Sequence, residues 1–363
     1  MLEPMTRSRL ILLAVVVSAG AQLGCDDDDL VGPGLPISVY TRNLYLGSDL
    51  TPLIGIASPE AIPDAAAPIW ANVQASNFPE RAKILADDIV AAAPDLVALQ
   101  EVTLYRRQMP SDIAPGNTEP NADEVVLDFL ALLMAEIDAR GGGYRIVGEA
   151  INADAELPVS DGQGGVFDLR LTDRDVILAR DAVYTGTFNV DHYATAFAFD
   201  VGGSGGVPLK TTRSVSWVDA DVGGAQFTFA NTHLEIQSLE LVAQVPQAVE
   251  MMNTLKAVPG PILLLGDLNS DPGEASYVLV DTRFDDAWPA ARGADVGFTC
   301  CQAPDLRNPD SIAANRIDLV WHLGRFRVTH AEVRGADPAM GRTPEGLWAS
   351  DHFGVFTHVE LVP

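Results

Sequence analysis

The sequence predicts one mixed α and β domain. Many short apolar runs bounded by turn residues alternate with a few helical stretches, no repeat period organises the chain, and no linker divides residues 35–363.

Taken in order, Ile37 to Asn43 alternates as a strand does and ends on an amide, followed by a loop over residues 44–49. Residues 79–93 carry helical signals: Pro79 and Glu80 at the start, Ile84, Leu85, Ile89 and Val90 along one side, and Pro94 as the stop. Pro94-Asp-Leu-Val-Ala-Leu-Gln-Glu101 is then a buried apolar strand that runs into an acid. Residues 111–121, rich in Pro, Asn and Gly, read as a loop, and 123–140 as an amphipathic helix closed by Gly141 to Gly143. Gly162 to Gly165 marks a surface loop before the strand 171–180, which carries Asp173 and Asp175 on one face. Gly202 to Gly206 connects to two alternating strands of hairpin type, 214–219 and 226–233. Residues 238–258 form the last long helix, with a kink expected at Pro246. The run Pro261-Ile-Leu-Leu-Leu-Gly-Asp-Leu-Asn-Ser-Asp-Pro272 is a strand buried on both faces, and Asp267 and Asn269 at its end project to the same side. Asp, Asn, Ser and Pro are also turn residues, so this segment alone leaves an ordinary Asx turn open. Strand-like segments 316–322, 325–333 and 350–357 complete the chain.

At 363 residues and 47% hydrophobic residues, the chain has ample material for a core. A formal net charge of -27 disfavours a broad grip on a polyanion, which needs Lys and Arg against phosphates. It leaves room for a small phosphate-containing substrate, because a divalent cation supplies positive charge locally.

The N-terminus reads as a targeting segment, with Arg7 and Arg9, an apolar run from Leu10 to Ala19 too short to span a bilayer, and small residues ending at Leu23-Gly24-Cys25. That ending, followed by Asp26 to Asp29, resembles the cleavage box of bacterial lipoproteins, in which the cysteine becomes the lipidated first residue; Gln22 departs from the usual aliphatic residue. The expectation is a signal peptide at 1–25 with Cys25 lipidated, an acidic tether at 26–36, a domain at 37–363, and an exported protein held to a membrane by its lipid, or else plainly secreted. Cys300 and Cys301 are the remaining thiols; direct neighbours seldom pair, so they are expected to be unpaired.

One pattern recurs. Apolar strands end on residues suited to metal binding or proton transfer: Asn43, Glu101, His233, Asp267 with Asn269, Asp318, and Asp351 with His352. A carboxylate near an apolar core is costly unless a cation or partner satisfies it. Carboxylate and amide oxygens without a cysteine cluster suit a hard divalent cation, Mg²⁺, Mn²⁺ or Ca²⁺, and histidine with a carboxylate suits proton transfer. Together these are the parts that phosphoester hydrolysis needs.

Pro94-Asp-Leu-Val-Ala-Leu-Gln-Glu101, Asn231-Thr-His-Leu234, Gly266-Asp-Leu-Asn269, Arg316-Ile-Asp318 and Ser350-Asp-His352 resemble, in this order, the motif set of the endonuclease/exonuclease/phosphatase superfamily. The resemblance covers roughly residues 37–358. It implies an α+β, DNase I-like four-layer sandwich, two packed mixed β-sheets flanked by helices. It also implies a divalent-metal-dependent phosphoesterase, with Mg²⁺ the expected ion and Mn²⁺ or Ca²⁺ alternatives. Glu101 would be the principal metal ligand, with Asn43 and Asp351 near the metal. Asp267 and Asn269 would orient the attacking water and the phosphate, and His352, held by Asp318, would be the general base or contact the phosphate. His233 would be a second histidine supported by an acid from an earlier strand, Asp173 or Asp175. Arg213 is read either as a phosphate contact or as half of a structural ion pair. Tyr40, Tyr45, Trp217, Trp288 and Trp348 are expected in the core or at its rim, and His192, His322, His330 and His358 have no assigned role. The substrate is a phosphoester of a nucleic acid, a lipid head group or a small molecule, and a monomer is expected. The opposing expectation is a surface-displayed binding protein that keeps the fold without the chemistry.

Overall fold

Strands β1 (Leu35–Asn43) and β2 (Leu96–Gln100) lie side by side in parallel and explain much of the architecture. In β2, Leu96 and Ala98 face the centre of the molecule while Val97 and Leu99 face a layer of helices. Both faces are buried, so the strand is apolar at every position from 96 to 99 instead of alternating. The chain is described by a computed structural model over residues 34–113, 118–236 and 241–363. The expected signal segment, Cys25 and most of the tether lie outside the described residues; Leu35 and Pro36 already belong to β1.

Between β1 and β2, helices α1 (Ile62–Ala75) and α2 (Phe78–Ala92) follow one another. α2 matches the expected helix closely and buries Arg81, Leu85 and Ile89 along one stripe. Next come β3 (Leu104–Gln108), β4 (Glu124–Asp128) and α3 (Phe129–Ala139). The helix expected over 123–140 therefore starts later. Val125 and Val126 favour the extended β4, and Asp128 caps α3 by accepting from the Leu130 and Ala131 amides. A long hairpin of β5 (Tyr144–Ser160) and β6 (Val166–Arg180) follows, then the short β7 (Tyr184–Thr185), β8 (Asn189–His192), β9 (Phe197–Val201) and β10 (Val207–Thr211). β11 (Ser214–Val222) and β12 (Ala225–His233) form the expected hairpin. Helix α4 (Leu241–Ala257) runs on through Pro246, and the first residues of the helix expected at 238–258 lie outside the described residues. The chain closes with β13 (Ile262–Asp267), α5 (Ala275–Asp281), β14 (Asp285–Asp286), β15 (Asp318–Leu323), β16 (Phe326–Arg334) and β17 (Gly354–Leu361).

Among the described residues, these strands form two mixed sheets. One runs β16-β17-β1-β2-β6-β5-β10-β9, with β3 and β4 attached beside β6; the other runs β14-β15-β13-β12-β11-β7, with β8 on β11. Their facing sides share one core, in which Ile37, Val39 and Ala98 of the first sheet meet Phe227, Phe229, Leu263 and Leu265 of the second. Each fully buried side chain of this kind contributes about 1.5–3 kcal/mol. Helices α2 and α3 cover the outer face of the first sheet through Leu85, Ile89 and Leu133. Helix α4 covers that of the second through Met251 and Leu255, against Ala230 and Leu264. The result is the expected α+β sandwich of helix, sheet, sheet and helix. A polar clasp crosses the central core: Gln100 Nε2 donates to Asn231 Oδ1 at 2.7 Å, and the Asn231 amide donates to the Leu99 and Val176 carbonyls. It ties the end of β2 to β12 across the two sheets. No helix among the described residues is long and apolar enough to cross a membrane.

Cys300 and Cys301 correct the expectation of unpaired thiols, since the structure joins them in a disulfide. The peptide between them is cis.

Candidate active site

The strand ends that carry the chemistry meet on one edge of the sandwich, and strand direction explains how. β12 and β13 run parallel, so their last residues, His233 and Asp267, are register partners. β15 runs antiparallel to β13, so its first residue, Asp318, stands opposite Asp267. In the first sheet, Asn43 pairs with Gln100 at the ends of parallel β1 and β2, and Asp351 and His352 precede the antiparallel β17. Asp318 therefore opens its strand, and Asp351 and His352 come just before theirs, instead of ending them, and an antiparallel start reaches the same edge as a parallel finish.

Backbone conformation helps aim these groups. Gly266 has φ +142° and lies against β12 so closely that a Cβ would collide with the Thr232 carbonyl, so the residue before Asp267 must be glycine. Glu101 and Asn269 hold left-handed φ values of +54° and +48°. For a residue such as Glu101 this conformation costs of order 1 kcal/mol and persists only where the surroundings enforce it.

A cleft of about 380 Å³ is lined by Glu101, Arg213, His233, Asp267, Asn269, Asp351 and His352, among others. Asn43 and Asp318 stand behind it. His352 Nδ1 is 2.9 Å from Asp318 Oδ2, which places the ring hydrogen on Nδ1 and leaves Nε2 to face Asp267 Oδ2 at 3.8 Å. Burial works against a charged His352, but Asp318, Asp351 and Asp267 outweigh it and hold the imidazole well above its ordinary range. Asp267 accepts from Asn43 Nδ2 at 3.1 Å and from the Asn269 amide at 2.8 Å. Burial pushes Asp267 up to about 7, with His352 pulling down and Asp318 pushing further up. Asn43 Oδ1 accepts from the Tyr45 amide at 2.9 Å, so both ends of this side chain are engaged by protein.

Glu101 Oε2 accepts from the Leu46 amide at 2.7 Å. Its pKa is raised, by burial first and then by the charge of Asp173. Asp351 is pushed up to about 6 by burial, and Glu101 adds to the shift. Both acids line one cleft and the charge of Glu101 disfavours that of Asp351, a conflict that a divalent cation held by the two would relieve. Their oxygen donors fit a hard ion. The ligating atoms of Asp267, Asp318 and His352 also lie within 4.8 Å of one another, but there the Nδ1 bond to Asp318 already occupies the ring.

His233 has a different partner from the one expected. Arg213 Nη1 donates to its Nδ1 at 2.8 Å, while Asp175 Oδ1 stands 4.0 Å away and Asp173 Oδ2 pairs with Arg213 at 3.5 Å. Glu235 Oε2 flanks the same guanidinium at 3.4 Å. The acid support expected from Asp173 or Asp175 therefore reaches His233 through Arg213, because the longer cation fills the gap between the two strands. Burial, and then the Arg213 charge, hold His233 well below its usual range. It is a neutral imidazole whose Nδ1 accepts from Arg213, which places its hydrogen on Nε2, 3.6 Å from Asp267 Oδ2. Of the two readings of Arg213, the ion pair is seen. Asp173 and Asp175 are buried and both are pushed up, chiefly by burial.

One further residue shapes the site. Arg81, fully buried on α2, donates to the carbonyls of Leu44, Tyr45, Ser76 and Ala349. It ties the turn after Asn43 to the segment that leads into Asp351 and His352. An arginine in phase with Leu85 and Ile89 on one helical stripe is the sequence signal for it. Cys300 Sγ lies 3.5 Å from His352 Nε2, and Cys301 lines the cleft.

The fold and the chain have known relatives. The structure resembles an endonuclease/exonuclease/phosphatase family protein from Leptotrichia buccalis C-1013-b, with TM-score 0.55 and 16% identity over 89% of this chain and 99% of that one. A mannosyl-6-phosphatase from Bacteroides thetaiotaomicron VPI-5482 gives TM-score 0.54 at 17% identity, covering 89% and 99% of the two chains. Truncated TDP2 from Caenorhabditis elegans gives 0.52 at 17%, covering 90% and 97%. At such identities the likeness shows the fold. Nocturnin from Drosophila melanogaster is 26% identical over 168 residues, 39% of this chain, and the chain spans about a quarter (26%) of that relative's length. The profile of the Endonuclease/Exonuclease/phosphatase family matches residues 69–352, which runs from α1 to His352 and takes in the cleft from Glu101 onward. On that match, and with two mixed sheets bringing the five motifs to one edge, the chain belongs to the endonuclease/exonuclease/phosphatase family.

Proposed function

We propose that this protein is a divalent-cation-dependent phosphoesterase that hydrolyses a P–O bond by in-line attack of water. The observation that carries the reading is the convergence of a histidine–carboxylate pair, His352 with Asp318, and two further carboxylates, Glu101 and Asp351, on one cleft. Glu101 and Asp351 would hold the cation, and Asn43 would act through Asp267. A bound cation supplies positive charge to the phosphoryl oxygens and helps the leaving oxygen. Mg²⁺ is the ion proposed.

The remaining roles fall to the chain's own side chains. Asp318 accepts from Nδ1 and so orients the His352 ring with Nε2 toward the reacting phosphate or its water. Asp267 and Asn269 position the water, with Asn43 and the Asn269 amide holding the Asp267 carboxylate in place. Neutral His233 contributes an Nε2 hydrogen toward the same point, and Arg213 sets that tautomer from behind.

The test is a substrate panel with Mg²⁺: bis-p-nitrophenyl phosphate, p-nitrophenyl phosphate, plasmid DNA and sphingomyelin. Turnover of at least one, lost in His352→Ala with the fold intact, supports the reading. No hydrolysis of any with Mg²⁺, Mn²⁺ or Ca²⁺ favours a binding protein that keeps the fold alone. The net charge of -27 places plasmid DNA last in the expected order.

Export and lipid anchoring rest on the motif around Cys25, outside the described residues. Incorporation of labelled palmitate in a bacterial host, lost in Cys25→Ser, is the expected outcome; no incorporation contradicts it.

A further inference from the structure

A second cavity opens off the cleft, and its walls differ sharply in character. It measures about 120 Å³ and lies between α1 and the β5–β6 hairpin. Ile69, Trp70 and Val73 form the helical wall, and Leu157, Leu169 and Leu171 part of the sheet wall. Six residues line both spaces: Leu46, Leu50, Glu101, Leu209, Thr211 and Arg213. The mouth of the apolar cavity is thus the side of the cleft where Glu101 stands.

Strand register explains the empty volume. On β5, Ala153, Ala155, Leu157 and Val159 share one face, and Ala153 and Ala155 pair with Asp173 and Leu171 of β6. The two alanines fall at the end nearest the acidic cluster, where larger side chains would close the gap. Protein interiors rarely keep a space of this size, since the walls forfeit dispersion contacts. A cavity of about 150 Å³ with aliphatic and aromatic walls holds a benzene-sized guest. The Tyr105 hydroxyl is already committed to the Leu46 carbonyl at 2.8 Å, and the other polar groups, Glu101, Asp173, Thr211 and Arg213, gather at the cleft end. A sugar or polyol pushed inward would leave hydroxyls without partners.

We propose that this cavity is the subsite for an apolar ester group, an alkyl chain of a few carbons or a single aryl ring, bonded directly to the phosphate held in the cleft. The inference rests on the phosphoesterase reading of that cleft and narrows its substrates to phosphoesters bearing such a group. Leu50, Phe197 and Phe199 continue the apolar surface along the cleft itself, so the path from solvent is apolar on one side and charged on the other.

The test uses stable phosphonates, so binding is read independently of turnover. Methyl-, butyl- and phenylphosphonate are titrated calorimetrically into the protein with Mg²⁺, alongside Ala155→Phe and, from the opposite wall, Ala66→Leu. Butyl- or phenylphosphonate should bind about tenfold or more tighter than methylphosphonate, the scale expected when several apolar groups leave water. The variants should erase that gain and leave methylphosphonate unchanged; the ranking of butyl against phenyl tells a chain from a ring. Equal affinities across the series, or a gain that survives in both folded variants, overturn the subsite. Turnover of p-nitrophenyl methyl and butyl phosphates separates the two claims. Hydrolysis at equal efficiency with flat binding keeps the phosphoesterase and removes the subsite, whereas chain-dependent binding without hydrolysis keeps the subsite and removes the phosphoesterase.

Discussion

His352 Nδ1 lies 2.9 Å from Asp318 Oδ2, a hydrogen bond that spans the two sheets at the candidate active site, since Asp318 opens β15 and His352 precedes β17. Asp318 Oδ1 is buried and has no hydrogen-bond partner among the described residues, while Oδ2 holds the histidine.

Asp318→Asn keeps the shape of the pair and removes the charge. On the proposed function, kcat should fall by about 10²–10⁴, the usual worth of a positioned acid or base, with KM changed much less. Steady-state kinetics on the best substrate of the panel checks this. A kcat close to wild type would take the pair out of the reaction.

Arg213→Gln should raise the pKa of His233. In the wild-type protein, burial first and the guanidinium second keep the imidazole neutral well below its ordinary range. Removing the positive charge leaves the burial but favours the imidazolium, so the titration moves upward and the Nε2–H tautomer loses the donor that fixes it. Imidazole nitrogen shifts followed by NMR against pH read both changes. An unmoved titration would mean that Arg213 does not set the state of His233.

Arg81→Met should destabilise the fold by about 3 kcal/mol or more, because buried carbonyls left without a donor cost about 1–3 kcal/mol each. The midpoint of urea unfolding measures it. Burial lowers the Arg81 pKa to about 10, with Asp351 pulling it back up, so the guanidinium stays charged at neutral pH and its bonds hold across that range. A loss below about 1 kcal/mol, the worth of a typical exposed bond, contradicts the positioning role.

Strands buried on both faces were the most legible part of the sequence. Ile262 to Leu265 and Leu96 to Leu99 are apolar at every step because each faces the central core and a helix layer in turn. Their chemistry-bearing ends were legible for the same reason, since a polar residue that breaks such a run marks the sheet edge. α1 is faint in the sequence, although Ile62, Ala66, Ile69 and Val73 carry helical spacing, because its alanine-rich face gives a weak contrast. β5 leaves no apolar run in the sequence because buried, half-buried and exposed positions are mixed along it. β4 reads in sequence as the start of a helix because Val125, Val126 and Leu127 suit either structure, and only Asp128 capping α3 separates the two. The partner of His233 was illegible for another reason. Arg213, Asp173 and Asp175 come from different strands, and only the packing of the two sheets decides which one reaches the ring.

The account stands on Glu101 holding a cation that the reaction needs, and a Mg²⁺ titration of the hydrolysis rate, run on the wild-type protein and on Glu101→Gln from a chelated start, tests it most directly. The account predicts a rate near background without the ion, saturation as Mg²⁺ rises, and a half-saturation point about tenfold or more higher in the variant. A full rate in the presence of chelator, or superimposable curves for the two proteins, would contradict it.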